Sequence, residues 1–332
     1  MIDVGVGLWT MRSTAARPSG FPLLYRRLAQ DARAAERLGF HSLWLAEHHF
    51  WYDGWCPAPV TAAAVVLGAT TTLRAGTGIH LLGLWDLDTA CSSIETAMRL
   101  SGGRLEIGVG LGYRDEEFDG LGLARRRRGR LMDDALDALM SRWTPAGGGP
   151  PVMVGGFSEA ALRRAAGRGL GIFLPFSLPL DKLRLTIERY REALDAAGQA
   201  AGRIGMLKYA WATDGSLRER DAARAVIAAS AREYSGAWFP LQGRVGFQAP
   251  ELLDRQLRMA ADNAFIGPPG QIAEQVEELD QAGVDVVVLQ MTRDDVAVDH
   301  IGAMEAIAER VVAPGGSVSW SRSARAPTRR GT

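Results

Sequence analysis

Short apolar runs alternate along this chain with longer stretches in which apolar residues recur every three or four positions. Residues 3–9 (DVGVGLW) read as a short buried strand. Residues 21–38 carry Phe21, Leu24, Tyr25, Leu28, Ala32, Ala35 and Leu38 at helical spacing, with Gly39 as the stop. The next apolar run, 42–46 (SLWLA), is too short for a helix. The alternation then repeats, with strands expected at 73–79, 104–109, 152–154, 170–174, 204–211 and 284–290. Helices are expected at 58–70, 89–100, 125–143, 158–168, 180–197, 217–234, 271–282 and 300–312. Strands separated by helices imply βαβ units and a parallel sheet. Eight such units fit a closed (β/α)8 TIM barrel, with an open doubly wound sheet as the alternative.

Residues 1–313 therefore read as a single barrel domain. Two segments stand outside the alternation. Residues 235–263 hold Trp238, Phe239, Phe247 and Pro250, too aromatic for a plain linker, and are expected as an insertion packed on the barrel over its mouth. Residues 314–332 are rich in Ser, Gly and Arg without apolar periodicity, which is the composition of a disordered basic tail.

Composition narrows the class. Of 332 residues, 47 % are apolar and 23 % charged, which excludes a wholly disordered or fibrous protein. The 39 glycines exceed the usual share and call for tight turns or close backbone approaches. Lys and Arg total 38, as do Asp and Glu, and a zero net charge argues against nucleic-acid binding. Two cysteines, Cys56 and Cys91, make no disulfide framework and suit a reducing cytoplasm. The first residues include Asp3 and lack a basic, then apolar, leader pattern, and no apolar run is long enough for a membrane span.

In a (β/α)8 barrel the reacting groups stand just after the strands. The sharpest cluster follows the second strand: Glu47, His48, His49, Phe50 and Trp51, which includes two of the chain's five histidines. A histidine there can act as a general acid or base, and a structural pair is the competing reading. Neighbours in an extended segment point oppositely, so at most one of His48 and His49 is expected to face the barrel axis, with the other packing outward. No HExxH spacing or other ligand pattern marks a metal site. The second cluster, Val154-Gly155-Gly156-Phe157-Ser158-Glu159, runs from a strand through glycines into a helix. Its amides suit a phosphate, while Ser158 also reads as an ordinary N-cap. After the fourth strand, Gly108-Val109-Gly110-Leu111-Gly112-Tyr113 lacks the third glycine of a dinucleotide fingerprint, and lets a planar ligand or a neighbouring loop approach. Gly76-Thr77-Gly78-Ile79-His80 closes the third strand. The arginines at 125–128 face Asp133, Asp134 and Asp137 on the same helix and read as a compensated, solvated face. Nothing adjacent to Cys56 marks it as reactive.

Taken in order, five stretches resemble the luciferase-like flavin-dependent monooxygenases: AAERLGFHSLWLAEHHF (34–50), TTLRAGTGIHLL (71–82), LSGGRLEIGVGLGYRDEEF (100–118), VMVGGFSEAALRRAA (152–166) and FIGPPGQIAEQVEELDQAGVDVVVLQM (265–291). The resemblance implies a (β/α)8 barrel that binds reduced FMN or the deazaflavin F420. By position, His48 matches the family's active-site histidine, with Glu47 orienting it or shaping the pocket. Gly78 and Ile79 match a pair joined by a non-prolyl cis peptide beside the flavin ring. Ser158, with the amides around Gly156 and Phe157, matches the flavin phosphate site, to which Leu111 and Gly112 also belong. Leu111 stands where luciferase has an arginine toward the phosphate, so Arg114 or another basic group is expected to serve. The family's long excursion before the fifth strand is reduced to residues 144–151. Trp9, Trp44, Trp51 and Tyr113 are expected to line the cavity.

The resulting expectation is a cytoplasmic, homodimeric monooxygenase that takes reduced FMN from a separate reductase and uses O2 on a small organic substrate. An F420-dependent oxidoreductase, a non-catalytic flavin-binding or regulatory subunit and a metal-dependent hydrolase are the alternatives.

Overall fold

The architecture is that of a computed structural model, which describes residues 1–11, 21–50, 54–143, 148–200, 202–241, 258–291 and 300–312. Its strands are β1 (Asp3–Trp9), β2 (Ser42–Leu45), β3 (Arg74–His80), β4 (Leu105–Val109), β5 (Val152–Gly155), β6 (Gly171–Leu174), β7 (Ile204–Ala212), β8 (Phe265–Gly267) and β9 (Val286–Gln290). Parallel pairing runs from β1 to β7 in sequence order, then to β9 and back to β1, closing an eight-stranded barrel. The long β7 runs past the barrel rim, where Ala210–Ala212 pair with the three-residue β8. The open-sheet alternative is thereby excluded.

The helices are α1 (Phe21–Arg37), α2 (Pro59–Ala69), α3 (Leu87–Leu100), α4 (Asp115–Gly120), α5 (Arg128–Trp143), α6 (Glu159–Ala166), α7 (Leu180–Ala197), α8 (Leu217–Leu241), α9 (Pro269–Ala282) and α10 (His300–Val311). Their apolar faces, such as Leu24, Leu28, Ala32 and Ala35 of α1, bury against the outward residues of the strands. Helix α3 starts two residues before the expected position, because Asp86 accepts the Thr89 amide at 2.9 Å as an N-cap. Helix α8 runs to Leu241 rather than Tyr234, and Gly236 and Pro240 lie within its last turns. Residues 242–257 of the expected insertion and the whole 314–332 tail lie outside the described residues. No described helix is long and apolar enough to cross a membrane.

The barrel interior is filled by Trp44, Met153, Phe173, Leu207, Val286 and Val288. Trp44 stacks on Phe173 at 5.0 Å between centroids and donates its Nε1–H to Ser42 Oγ at 2.8 Å. Glycine is required opposite it: a Cβ at Gly5, Gly7 or Gly76 would press on the Trp44 indole or backbone. Trp44 is therefore core, as is Trp9; Trp51 lies outside the described residues.

At the amino ends of the strands, fully buried Glu106 accepts Arg74 Nε at 2.6 Å and Arg203 Nη1 at 3.3 Å, with His41 at 4.0 Å. Burial opposes its charge, but Arg203, His41 and Arg74 outweigh burial and hold the carboxyl below its ordinary range. This ion cluster plugs the floor, and the opposite rim is left for chemistry.

Candidate active site

Just past β2, Glu47 is buried and its carboxylate is saturated. Oε1 accepts His49 Nε2–H at 2.6 Å and Trp85 Nε1–H at 2.8 Å. Oε2 accepts His80 Nδ1–H at 2.5 Å and the Leu81 amide at 2.9 Å. Burial works against the charge, yet His80 and His49 overcome it and hold the carboxyl at about 2. Glu47 thus ties the end of β2 to the end of β3. The carboxylate that orients His48 is a different one, Glu117, which corrects the orienting role expected of Glu47.

His48 Nδ1 lies 2.7 Å from Glu117 Oε1, and the Tyr113 hydroxyl lies 3.0 Å from His48 Nε2. The same Glu117 oxygen accepts the His49 amide at 3.0 Å and has Arg114 Nη1 at 3.6 Å. Oε1 is therefore the acceptor, and His48 carries its proton on Nδ1, a tautomer assigned from the network. Trp55 covers the imidazole edge-on at 4.7 Å. Burial, stronger than the opposing pull of Glu117, pushes His48 below its ordinary value, so the ring is neutral near pH 7.

Glu117, Tyr113 in this role, and His80 were not singled out as partners by the sequence. Glu117 sits on α4, six residues (DEEFDG) with Phe118 as their only large apolar side chain, so no periodicity announced a helix there. Glu117 is fully buried, and its Oε2 has no hydrogen-bond partner among the described residues.

Gly78–Ile79 is a cis peptide, as the resemblance implied. The side chain of Ile79 explains the glycines of the neighbouring strands. A Cβ at Gly110 would overlap its Cδ1, and one at Gly155 would stand 3.0 Å from the same atom. Gly110, in the run after β4, therefore makes room for the neighbouring Ile79. Gly112 adopts φ +69°, and its carbonyl accepts Arg128 Nη1–H at 3.1 Å. Leu111 packs half-buried against the outer core. Arg114 is buried and donates to the His49 carbonyl at 2.7 Å, which places it in the His48 cluster.

After β5, Gly156 adopts φ +123°, which favours glycine, and its amide donates to the Phe173 carbonyl at 3.0 Å. That amide is spent within the sheet. Ser158 caps α6, its Oγ accepting the Ala161 amide at 3.3 Å. The amides of Phe157, Ser158, Glu159 and Ala160 have no acceptor among the described residues, and Phe157 and Ser158 are exposed. The N-cap reading of Ser158 is thus correct, and it leaves an open row of donors at the rim.

Cys56 and Cys91 are free and buried, and burial pushes the Cys56 thiol up to about 11, which makes it inert near neutrality. Among the described residues, no group of three or more His, Cys, Asp and Glu is arranged to hold a metal ion.

A closed barrel with buried imidazole–carboxylate pairs at the carboxyl ends of its strands has the layout of a (β/α)8 enzyme. The family profile of luciferase-like monooxygenases matches residues 6–286, and the chain belongs to that family. Among curated relatives, the alkanal monooxygenase alpha chain of Photorhabdus luminescens is 27 % identical over 195 residues, covering 52 % of this chain and 54 % of the relative. The chain thus matches about half the length of that relative. Among solved structures, the oxygenating constituent of 3,6-diketocamphane monooxygenase from Pseudomonas putida, in complex with FMN, superposes with a TM-score of 0.73 at 18 % identity, covering 94 % of this chain and 98 % of that one. An F420-dependent secondary alcohol dehydrogenase superposes with a TM-score of 0.68 at 16 % identity, covering 93 % and 99 %.

Proposed function

We propose that this protein is a flavin-dependent monooxygenase that uses reduced FMN and O2 to oxidise a small organic substrate. The observation that carries the reading is the pairing of two features on one rim. One is the Ile79 shelf, for which glycines at 110 and 155 leave room. The other is the exposed start of α6, with open amides from Phe157 to Ala160. An apolar shelf and an anion-binding helix start suit the two ends of a flavin mononucleotide.

In this reading Ser158 and the amides that follow hold the phosphate, with Leu111 and Gly112 beside it, and Gly78 and Ile79 support the ring. Bound there, the reduced flavin supplies the electrons that activate O2. The neutral His48 accepts a proton at Nε2, and Glu117 stabilises the charged ring that results. Glu47 keeps His49 and His80 fixed beneath the cavity. A separate reductase delivers the flavin, and the protein works as a homodimer in the cytoplasm.

The test is an anaerobic titration of the purified chain with reduced FMN and, separately, reduced F420. Saturable binding of reduced FMN, with F420 much weaker, supports the proposal. Preference for F420 replaces it with hydride transfer, and binding of neither replaces it with a non-catalytic role.

A further inference from the structure

His48, the expected active-site histidine, does not end the chain of polar groups that starts at Glu117. It is itself buried, and Trp55 covers its edge. Beyond it stands Tyr113, half-buried, just past β4 on the rim of the barrel, with its hydroxyl on His48 Nε2. Three groups thus lie in line: Glu117 Oε1, 2.7 Å to Nδ1, then Nε2, 3.0 Å to the phenol oxygen. The order carboxylate, imidazole, hydroxyl is that of a relay in which the outermost hydroxyl meets the ligand.

We propose that the Tyr113 hydroxyl is the group that exchanges a proton with the bound ligand, with His48 as the base behind it and Glu117 as the residue that positions His48. This rests on the reading of the rim as the reaction site. In the forward step an O–H or N–H proton of the ligand passes to Tyr113 Oη, while the phenol's own proton passes to His48 Nε2. The ligand keeps the electron pair of its broken bond, Tyr113 remains neutral, and His48 becomes an imidazolium whose Nδ1–H is held by the Glu117 carboxylate. The reverse step restores the resting state. The resting tautomer fits, because Nδ1 carries the proton and Nε2 is left as an acceptor.

Two consequences have opposite sign. The Tyr113 hydroxyl donates to neutral His48, so it disfavours the imidazolium; Glu117 favours it. The other charged groups around the ring are Arg114 and Glu47; Arg114 also stands 3.6 Å from Glu117, so Glu117→Gln takes the carboxylate from Arg114 as well, and both changes lower the His48 midpoint. Tyr113→Phe is therefore expected to raise the His48 titration midpoint by about one pH unit, and Glu117→Gln to lower it by about one unit or more.

The experiment is a pH titration of 15N-histidine-labelled full-length chain by long-range 1H–15N correlation, without any flavin, on the wild type and both variants. The expected wild-type ring is neutral with its proton on Nδ1, and the two variants move the midpoint in opposite directions. A wild-type proton on Nε2, or a Tyr113→Phe midpoint that stays in place, overturns the relay. Should Glu117→Gln fail to fold, the Tyr113→Phe result decides alone. As a second readout, in protein loaded with reduced FMN, Tyr113→Phe shifts the pH profile of oxidation in air in the direction of the His48 shift. An unmoved profile places Tyr113 outside the proton path and overturns the proposal. If reduced FMN does not bind at all, the flavin reading falls while the titration still decides the relay.

Discussion

Replacing Glu47 by Gln tests the buried carboxylate that ties β2 to β3. The carboxylate accepts four hydrogen bonds, from His49, His80, Trp85 and the Leu81 amide. A carboxamide offers one oxygen, which can accept two of them, and turns an NH2 toward the other two donors. Each buried donor left facing that NH2 costs about 1–3 kcal/mol. Linkage gives a similar figure from another direction. Glu47 is held at about 2 against an ordinary 4.5. A shift of that size stabilises the folded chain by about 3 kcal/mol at neutral pH. Because the folded value is the lower one, this stabilisation is complete above the unfolded value and is lost as pH falls toward the folded one. At pH 3 about 2 kcal/mol of it is gone, because the unfolded chain then binds the proton while the folded carboxyl stays mostly ionised. Urea unfolding of the wild type and Glu47→Gln at pH 7 and pH 3 measures both quantities. The expected gap is about 3 kcal/mol at pH 7, narrowing by about 2 kcal/mol at pH 3. A gap below about 1 kcal/mol at pH 7, or one that does not change with pH, refutes the reasoning.

Gly76→Ala places a Cβ against the Trp44 indole inside the barrel and is expected to cost about 1–3 kcal/mol, read as a lowered Tm. Glu106→Gln takes the carboxylate from Arg74 and leaves Arg203 and His41 with Asp3 alone, and is expected to cost about 3–5 kcal/mol in urea unfolding. Ser158→Asp sets a negative charge among the open amides of α6, and calorimetry should show reduced FMN binding weakened about tenfold or more, with riboflavin, which lacks the phosphate, unaffected.

The barrel was legible because each of its eight strands is a short apolar run bounded by a helix of clear periodicity, as with DVGVGLW and α1. What escaped was short or polar. Strand β8 has three residues, below the length at which alternation can be seen, and it forms only because β7 outruns the barrel. The same reasons hid the partners of the site. The Glu47–His48–His49 cluster was visible as a local oddity. Its partners His80 and Glu117 lie 33 and 69 residues away, and only the closing of neighbouring strands brings them together. Glycines at 108, 110 and 155 were readable as close approaches, but a sequence does not say what approaches; here it is the Thr77 carbonyl at Gly108 and the Ile79 side chain at Gly110 and Gly155. The setting of Arg114 was hidden for a related reason. Its charge suits a phosphate, but burial beside Glu117 commits it to the histidine cluster.

The most direct test of the account is a crystal structure of the chain grown anaerobically with reduced FMN. The account expects the phosphate within hydrogen-bond reach of Ser158 and the amides that follow it, and the ring against Gly78 and Ile79 with the Tyr113 hydroxyl on the same side of the barrel. A flavin bound elsewhere, or a phosphate that avoids the start of α6, would contradict it.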